Sequence, residues 1–179
     1  MDYLKDLQYI AQVDQNDNII GKIERWEAHK KGVLHRAFTV SIKYNDSYIL
    51  QHRKHPVFDS IYDISVSSHP LYTDDVLEDT INAVYRTLKR EWRLDNERLV
   101  EPPRYLGKCY YQAKDTRSEY IEHEICYAYS CEINELSMPD FDTAYGFSLY
   151  KKAQITDKTN PIYPLLAPWV HAMIKEDLL

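Results

Sequence analysis

Glycine is scarce: the chain of 179 residues has four, at positions 21, 32, 107 and 146. A phosphate-cradling loop of the P-loop or dinucleotide type needs several glycines at fixed short spacing, so both are excluded. Cysteine is also sparse. Cys109, Cys126 and Cys131 are an odd number without metal-ligand spacing, and read as buried thiols in a reducing cytoplasm. No apolar run approaches the ~20 residues of a membrane span, and the first residues lack the apolar stretch of a signal peptide, so a cytoplasmic protein with no membrane partner is expected. Basic clusters are missing as well. With a net charge of −6 and no basic run longer than His52-Arg53-Lys54-His55, no nucleic-acid footprint is expected.

Apolar residues make up 44% of the chain, enough for one globular domain over residues 1–179, and the length is too short for two ordinary ones. No linker or repeat divides it. Residues 7–13 and 19–23 read as strands around the turn formers 14–18, and residues 37–44 and 48–52 do the same around Asn45-Asp46-Ser47. A helix is expected from Asp75, with Glu78 three residues on as a capping box. Its apolar stripe is Leu77, Ile81, Val84, Leu88 and Trp92. Strands follow at 105–112 and 122–131, antiparallel to each other, and at 145–150. A last helix is expected over 164–179, opened by Pro164. Strand clusters with two or three helices predict an α+β fold, a mixed sheet covered by helices.

Glu122 and Glu124 alternate on one strand face with Cys126, Ala128 and Ser130. Two carboxylates beside small residues describe either a cavity wall or the solvated face of an edge strand. Three histidines bear on that choice. His29 and His35 bracket a turn from a short helix into a strand, and His69 precedes Pro70, which favours an extended backbone there. Three imidazoles with two carboxylates suit an octahedral divalent ion, not a tetrahedral structural zinc. Glu91 falls on the apolar stripe of its helix. A carboxylate there needs a partner, either an arginine at the stripe's edge or a second cation.

The segments Ala28-His29 to His35-Arg36-Ala37-Phe38, Ser65-Val66-Ser67-Ser68-His69-Pro70, Arg86 to Glu91, Glu122-His123-Glu124-Ile125-Cys126 and Pro168-Trp169 occur in a telling order. At these distances the chain resembles the type I isopentenyl-diphosphate isomerases of the Nudix superfamily, from about residue 10 to 173. That resemblance implies a Nudix-type mixed sheet between helices, an α/β/α sandwich. It implies one divalent ion, Mn²⁺, Zn²⁺ or Fe²⁺, on His29, His35, His69, Glu122 and Glu124, and Mg²⁺ held by Glu91 against a diphosphate. Glu124 would handle a proton and Tyr111 would assist. Arg25, Arg53 and Lys54 would grip phosphate oxygens, and Trp169 would face the isoprenoid chain. The partner implied is a small isoprenoid diphosphate, and the assembly a monomer or homodimer.

The reaction implied moves a carbon–carbon double bond through a tertiary carbocation. An indole face stabilises such a cation by ~1–2 kcal/mol in a dry pocket, although Trp169 also reads as a core residue of the last helix. Three departures stand out. Ser67 occupies the place of the family's catalytic cysteine, and a hydroxyl cannot serve alone as an ionised base near neutrality. Asp59-Ser60 replaces a proline-glycine turn. The helix segment 86–91 retains one acid where Nudix hydrolases carry several. The alternatives to a slow isomerase are a hydrolase of another diphosphate and a silent diphosphate-binding homologue.

Overall fold

The computed structural model describes residue 3 and residues 5–179. The chain runs β1 (Tyr9–Val13), β2 (Ile19–Glu24), α1 (Arg25–Lys31), β3 (His35–Tyr44), β4 (Ser47–Arg53), β5 (Tyr62–Asp63), β6 (Val66–Ser68), β7 (Tyr72–Thr73) and β8 (Val76–Leu77). It continues with α2 (Thr80–Trp92), β9 (Arg104–Lys114), β10 (Ile121–Ile133), β11 (Ala144–Tyr150), α3 (Lys152–Thr156) and α4 (Pro168–Lys175).

β3 is the spine of a nine-stranded mixed sheet. Along one edge it pairs in parallel with β10, from His35 opposite Glu124 to Tyr44 opposite Ile133. Its other edge is shared in turn by three antiparallel strands. These are β1 at His35, β6 at Phe38 to Val40, and β4 at Lys43 and Tyr44. Both expected hairpins, β1–β2 and β3–β4, form at the turn residues, and β9 and β10 pair antiparallel.

Because strand side chains alternate between faces, β3 serves two cores. Phe38, Val40 and Ile42 pack with Val84, Leu88 and Trp92 of α2. Ala37, with Cys126 and Ala128 of β10, faces Trp169, Val170 and Met173 of α4. Burying a side chain of this size stabilises by roughly 1.5–3 kcal/mol, so each helix is held by its own apolar face. The result is the α+β sandwich expected from the residues and the resemblance. Among the described residues, no helix is long and apolar enough to cross a membrane.

Two helix boundaries differ from expectation. The helix expected at Asp75 starts at Thr80, after Asp79. Asp75 is taken by Lys22 at 2.6 Å, and Glu78 by Arg86 at 2.9 Å, so neither carboxylate caps the helix. The β-branched Val76 pairs Thr73 in a short hairpin, with Asp74 at a turn φ of 56°. The last helix starts at Pro168, not Pro164; Tyr163–Leu165 form a single 3₁₀ turn. Among the described residues four α-helices occur where two or three were expected, because the five-residue α3 carries no apolar stripe long enough to read.

Candidate metal centre and cleft

α1 ends at Gly32, whose φ of 62° lies in the left-handed region. A Cβ at Gly32 would come within 3.1 Å of the Ile121 side chain. This close approach lays the end of α1 against the start of β10, which brings His29 beside Glu122. The His29 Nε2–Glu122 Oε2 distance is 3.3 Å. His35 begins β3 directly opposite Glu124 of β10. His69 follows β6, and its carbonyl accepts a bond from Arg86 of α2 at 3.0 Å.

These placements draw His29, His35, His69 and Glu124 together, with ligand atoms all within 4.8 Å of one another and every residue buried. The ring centroids of the three imidazoles are 4.8 to 5.3 Å apart. Glu124 Oε1 lies 3.3 Å from His35 Nε2 and 3.2 Å from His69 Nε2. Glu122 joins the group from its side, through His29. The alternative for the two carboxylates, a solvated edge, is overturned: both are buried.

The donor set fits a cation. His29 Nδ1 lies 2.6 Å from the Arg25 carbonyl, and His35 Nδ1 lies 2.7 Å from the Val33 carbonyl. A carbonyl only accepts, so each Nδ1 carries a hydrogen and each Nε2 points inward as the atom an ion would take, the usual arrangement for a metal-binding imidazole. Among the described residues, His35 Nε2 and Glu122 Oε2 are buried without a hydrogen-bond partner. Such orphaned atoms are costly unless something meets them.

The electrostatics agree. Burial and the neighbouring His35 and His29 hold His69 well below the ordinary imidazole range, so it stays neutral. Burial opposes a charge on His29, but the Glu122 carboxylate outweighs it and brings the pKa up to about 9. A divalent ion and that proton compete for the same nitrogen. Burial pushes Glu124 up, yet the nearby His35 imidazole, Glu122 and the Tyr111 hydroxyl leave it below its usual value. Tyr111 donates its hydroxyl to Glu124 Oε2. Burial first, then the carboxylates of Glu124 and Glu122, keep that phenol protonated.

Two hollows with shared wall residues adjoin the centre. The upper one, about 550 Å³ including its open mouth, is walled by Arg25, Arg53, Lys54, Arg90 and Glu91. The lower one, about 240 Å³ including open space at its mouth, is lined by Ser67, Tyr111, Glu124, Trp169 and Ala37. His69 and Glu122 border both. Ser67 hangs from β6 and Glu124 from β10, strands on opposite edges of β3, so the two side chains approach the lower hollow from two sides.

Glu91 stands apart from the histidines. Arg90 donates to its Oε1 at 2.6 Å and Gln51 to its Oε2 at 3.3 Å, so the arginine partner and the place on the cleft wall are both present. Lys54 Nζ lies 2.9 Å from the Phe141 carbonyl, and Arg25 donates to the Tyr3 carbonyl at 3.1 Å.

Two residues of the cleft were not singled out from the sequence. Arg90 lies 3.6 Å over the Tyr3 ring, and among the described residues its Nε and Nη1 are buried without a hydrogen-bond partner; the signal was an opposite charge next to Glu91. Asp63 is fully buried and meets Ser67, Trp169 and Arg53. A lone aspartate on a two-residue strand gave no such sign.

Removing one imidazole tests the centre. His69→Ala is expected to lower divalent-metal retention, read as metal per chain after desalting, by about 10-fold or more. Full retention would show that His69 is not a ligand.

Comparison with known proteins points the same way. The chain is 31% identical over 127 residues to "Isopentenyl-diphosphate Delta-isomerase 1" of Photorhabdus laumondii, covering 69% of this chain and 68% of that protein. It is 31% identical over 146 residues to human "Isopentenyl-diphosphate delta-isomerase 2", covering 74% of this chain and 64% of the human protein, just under two thirds of its length. Among solved structures it is similar to a MutT NUDIX hydrolase of Burkholderia pseudomallei, with a TM-score of 0.52 at 16% identity, over 79% of this chain and 96% of that one. That likeness concerns the fold. No protein-family model matches the chain.

Proposed function

Since the chain belongs to the isopentenyl-diphosphate isomerase family, we propose that it is a metal-dependent isomerase interconverting isopentenyl and dimethylallyl diphosphate. One observation carries this reading. Ser67, Tyr111, Glu124 and Trp169 line one small hollow beside the histidine cluster, which shares wall residues with a cleft carrying four basic side chains.

The diphosphate lies in the upper cleft against Arg53, Lys54, Arg25 and Arg90. Glu91, on that wall, would hold Mg²⁺ against the phosphates in the place where it now meets Arg90. The isoprenoid end descends into the lower hollow. His29, His35, His69, Glu122 and Glu124 would hold one divalent ion, whether Mn²⁺, Mg²⁺, Zn²⁺ or Fe²⁺. When bound, that ion supplies fixed positive charge which orients Glu124 and makes its proton easier to give up. The Tyr111–Glu124 pair exchanges a proton with the terminal methylene carbon, and Ser67 faces the neighbouring carbon. Trp169 is 2% exposed and offers its ring to the cation between the two steps.

A serine in place of a thiol makes proton exchange slower, because general acid–base catalysis contributes ~10²–10⁴-fold and depends on a group that ionises near the working pH. The test is purified protein with isopentenyl diphosphate, Mg²⁺ and Mn²⁺, following dimethylallyl diphosphate and released phosphate together. Isomerised product without phosphate release is expected, and Ser67→Cys is expected to raise its rate by about 10-fold or more. Phosphate release without isomerisation would favour a hydrolase. The lack of any product from wild type and from Ser67→Cys would leave only a binding protein.

A further inference from the structure

Ser67 does not stand alone at the lower hollow. Its Oγ lies 3.1 Å from Asp63 Oδ1 and 3.0 Å from Thr39 Oγ1. Thr39 spends its own hydroxyl proton on the Val66 carbonyl at 3.1 Å. The single Ser67 proton therefore chooses between a neutral oxygen and a carboxylate, and the charged acceptor makes the stronger bond.

Resting on the isomerase reading above, we propose that Asp63 and Ser67 form a proton relay in which Ser67 meets the substrate and Asp63 acts through it, replacing a single thiol. Asp63 is a positioning residue in this scheme: it orients the Ser67 hydroxyl and receives its proton.

The surroundings of Asp63 suit the task. It is fully buried, and a buried carboxylate is costly unless it is held by donors. Trp169 Nε1 donates to Oδ1 at 2.6 Å and the Ile64 amide at 2.7 Å, while Arg53 reaches Oδ2 at 3.4 Å. The charged and titratable groups facing it are Arg53 from β4, Glu91 from α2 and the Cys126 thiol from β10. α4 contributes only the Trp169 indole. Burial raises the Asp63 carboxyl above its ordinary value, against the lowering effects of Arg53, Trp169 and Ser67. A raised carboxyl is the stronger base.

The proton count closes. The Tyr111–Glu124 pair gives one proton to the terminal methylene carbon, whose π electrons form the new C–H bond and leave a tertiary cation. A C–H bond on the adjacent carbon then breaks, and its electron pair becomes the new double bond. The released proton goes to Ser67 Oγ as the Ser67 proton crosses to Asp63 Oδ1. The protein holds as many protons after the step as before, now one fewer on the Tyr111–Glu124 side and one more on Asp63. Exchange with solvent restores the starting state.

A simpler role for Asp63 is to pin Arg53 and Trp169. The experiment separates the two with the full chain loaded with Mn²⁺ and Mg²⁺, comparing wild type, Asp63→Asn, Ser67→Ala, Ser67→Cys and the double variants. If the relay operates, Asp63→Asn and Ser67→Ala each lower kcat by about 100-fold, and combining them costs no more than either alone. In the Ser67→Cys background, the Asp63→Asn penalty shrinks to a few-fold. At saturating Mn²⁺ and Mg²⁺, the wild-type kcat–pH profile carries an acidic component where Asp63 takes up its proton, and that component disappears in Ser67→Ala. Additive penalties, no rescue by Ser67→Cys, or an unchanged acidic component in Ser67→Ala would overturn the relay. The Ser67→Ala profile decides this even if Asp63→Asn fails to fold. A wild type that isomerises while Asp63→Asn keeps a rate within threefold sinks the relay alone. A wild type and Ser67→Cys without isomerised product sink the function on which it rests.

Discussion

Glu124→Gln is expected to lose its divalent ion and to isomerise about 10³-fold more slowly than the parent chain, or worse. The size follows from how many partners share this carboxylate. One oxygen lies 3.3 Å from His35 Nε2 and 3.2 Å from His69 Nε2. The other takes the Tyr111 hydroxyl. An amide of the same shape removes the charge from the ligand set and turns one oxygen into a donor aimed at another donor. Metal content after desalting and the rate of dimethylallyl diphosphate formation would be measured side by side. If metal is retained in full and the rate stays within tenfold, Glu124 is neither ligand nor proton carrier. Glu124→Asp keeps the charge but retracts it by one methylene, so metal should persist while the rate falls.

The second large effect concerns Trp169, which binds three parts of the molecule. Its indole is buried in the core under α4, meets Phe58 edge-on at 6.0 Å between centroids, and donates to Asp63 at 2.6 Å. Trp169→Ala should destabilise the fold by about 3–5 kcal/mol, the range for deleting a large buried aromatic side chain. A thermal or denaturant melt reads this directly, and a loss under 1 kcal/mol would mean that the neighbours collapse into the gap. Trp169→Phe is more informative about chemistry. It keeps a ring in the core but leaves an Asp63 oxygen short of a donor, which costs ~1–3 kcal/mol. It also offers a poorer face to a cation, so kcat should fall about tenfold with little change in KM. A change confined to KM would place the ring against the bound substrate only.

Much of the fold could be read from residues whose meaning is local. Asn45-Asp46 reads as a turn wherever it stands, and the β3–β4 hairpin closes there. The α2 stripe was legible because Val84, Leu88 and Trp92 repeat with helical period, and all three are buried. The start of that helix was not legible. Asp75 and Glu78 have the spacing of a cap, and only distant partners, Lys22 and Arg86, draw them away. Pro164 and Pro168 are equally good openers by themselves; α4 begins at the second, where Trp169 and Val170 enter the core.

The candidate site divides in the same way. The histidines and glutamates are chemically distinctive, and a resemblance across several segments sufficed to group them. Asp63 has no such mark. Its importance arises from three contacts made by Ser67, Trp169 and Arg53, of which Trp169 lies 106 residues away along the chain. Ser60 shows the reverse case. The turn that lacks its proline-glycine pair still bends as such turns do, with Ser60 at a φ of 57° and its amide bonded to the Arg53 carbonyl at 2.9 Å.

The parallel pairing of β3 with β10 has a consequence for the order of assembly. Its two strands are separated by about half of the chain, and joining them closes a long loop before any contact can repay the lost entropy. His35 and Glu124 face each other only once that closure is made. An early hairpin such as β3–β4 contains one ligand and cannot hold an ion. On the proposed reading, occupancy by an ion is tied to the completed sheet and would add to its stability by mass action, about 2.7 kcal/mol when the free ion stands at one hundred times its Kd. On that reading, a chain short of the ion would be not only idle but also easier to unfold and degrade.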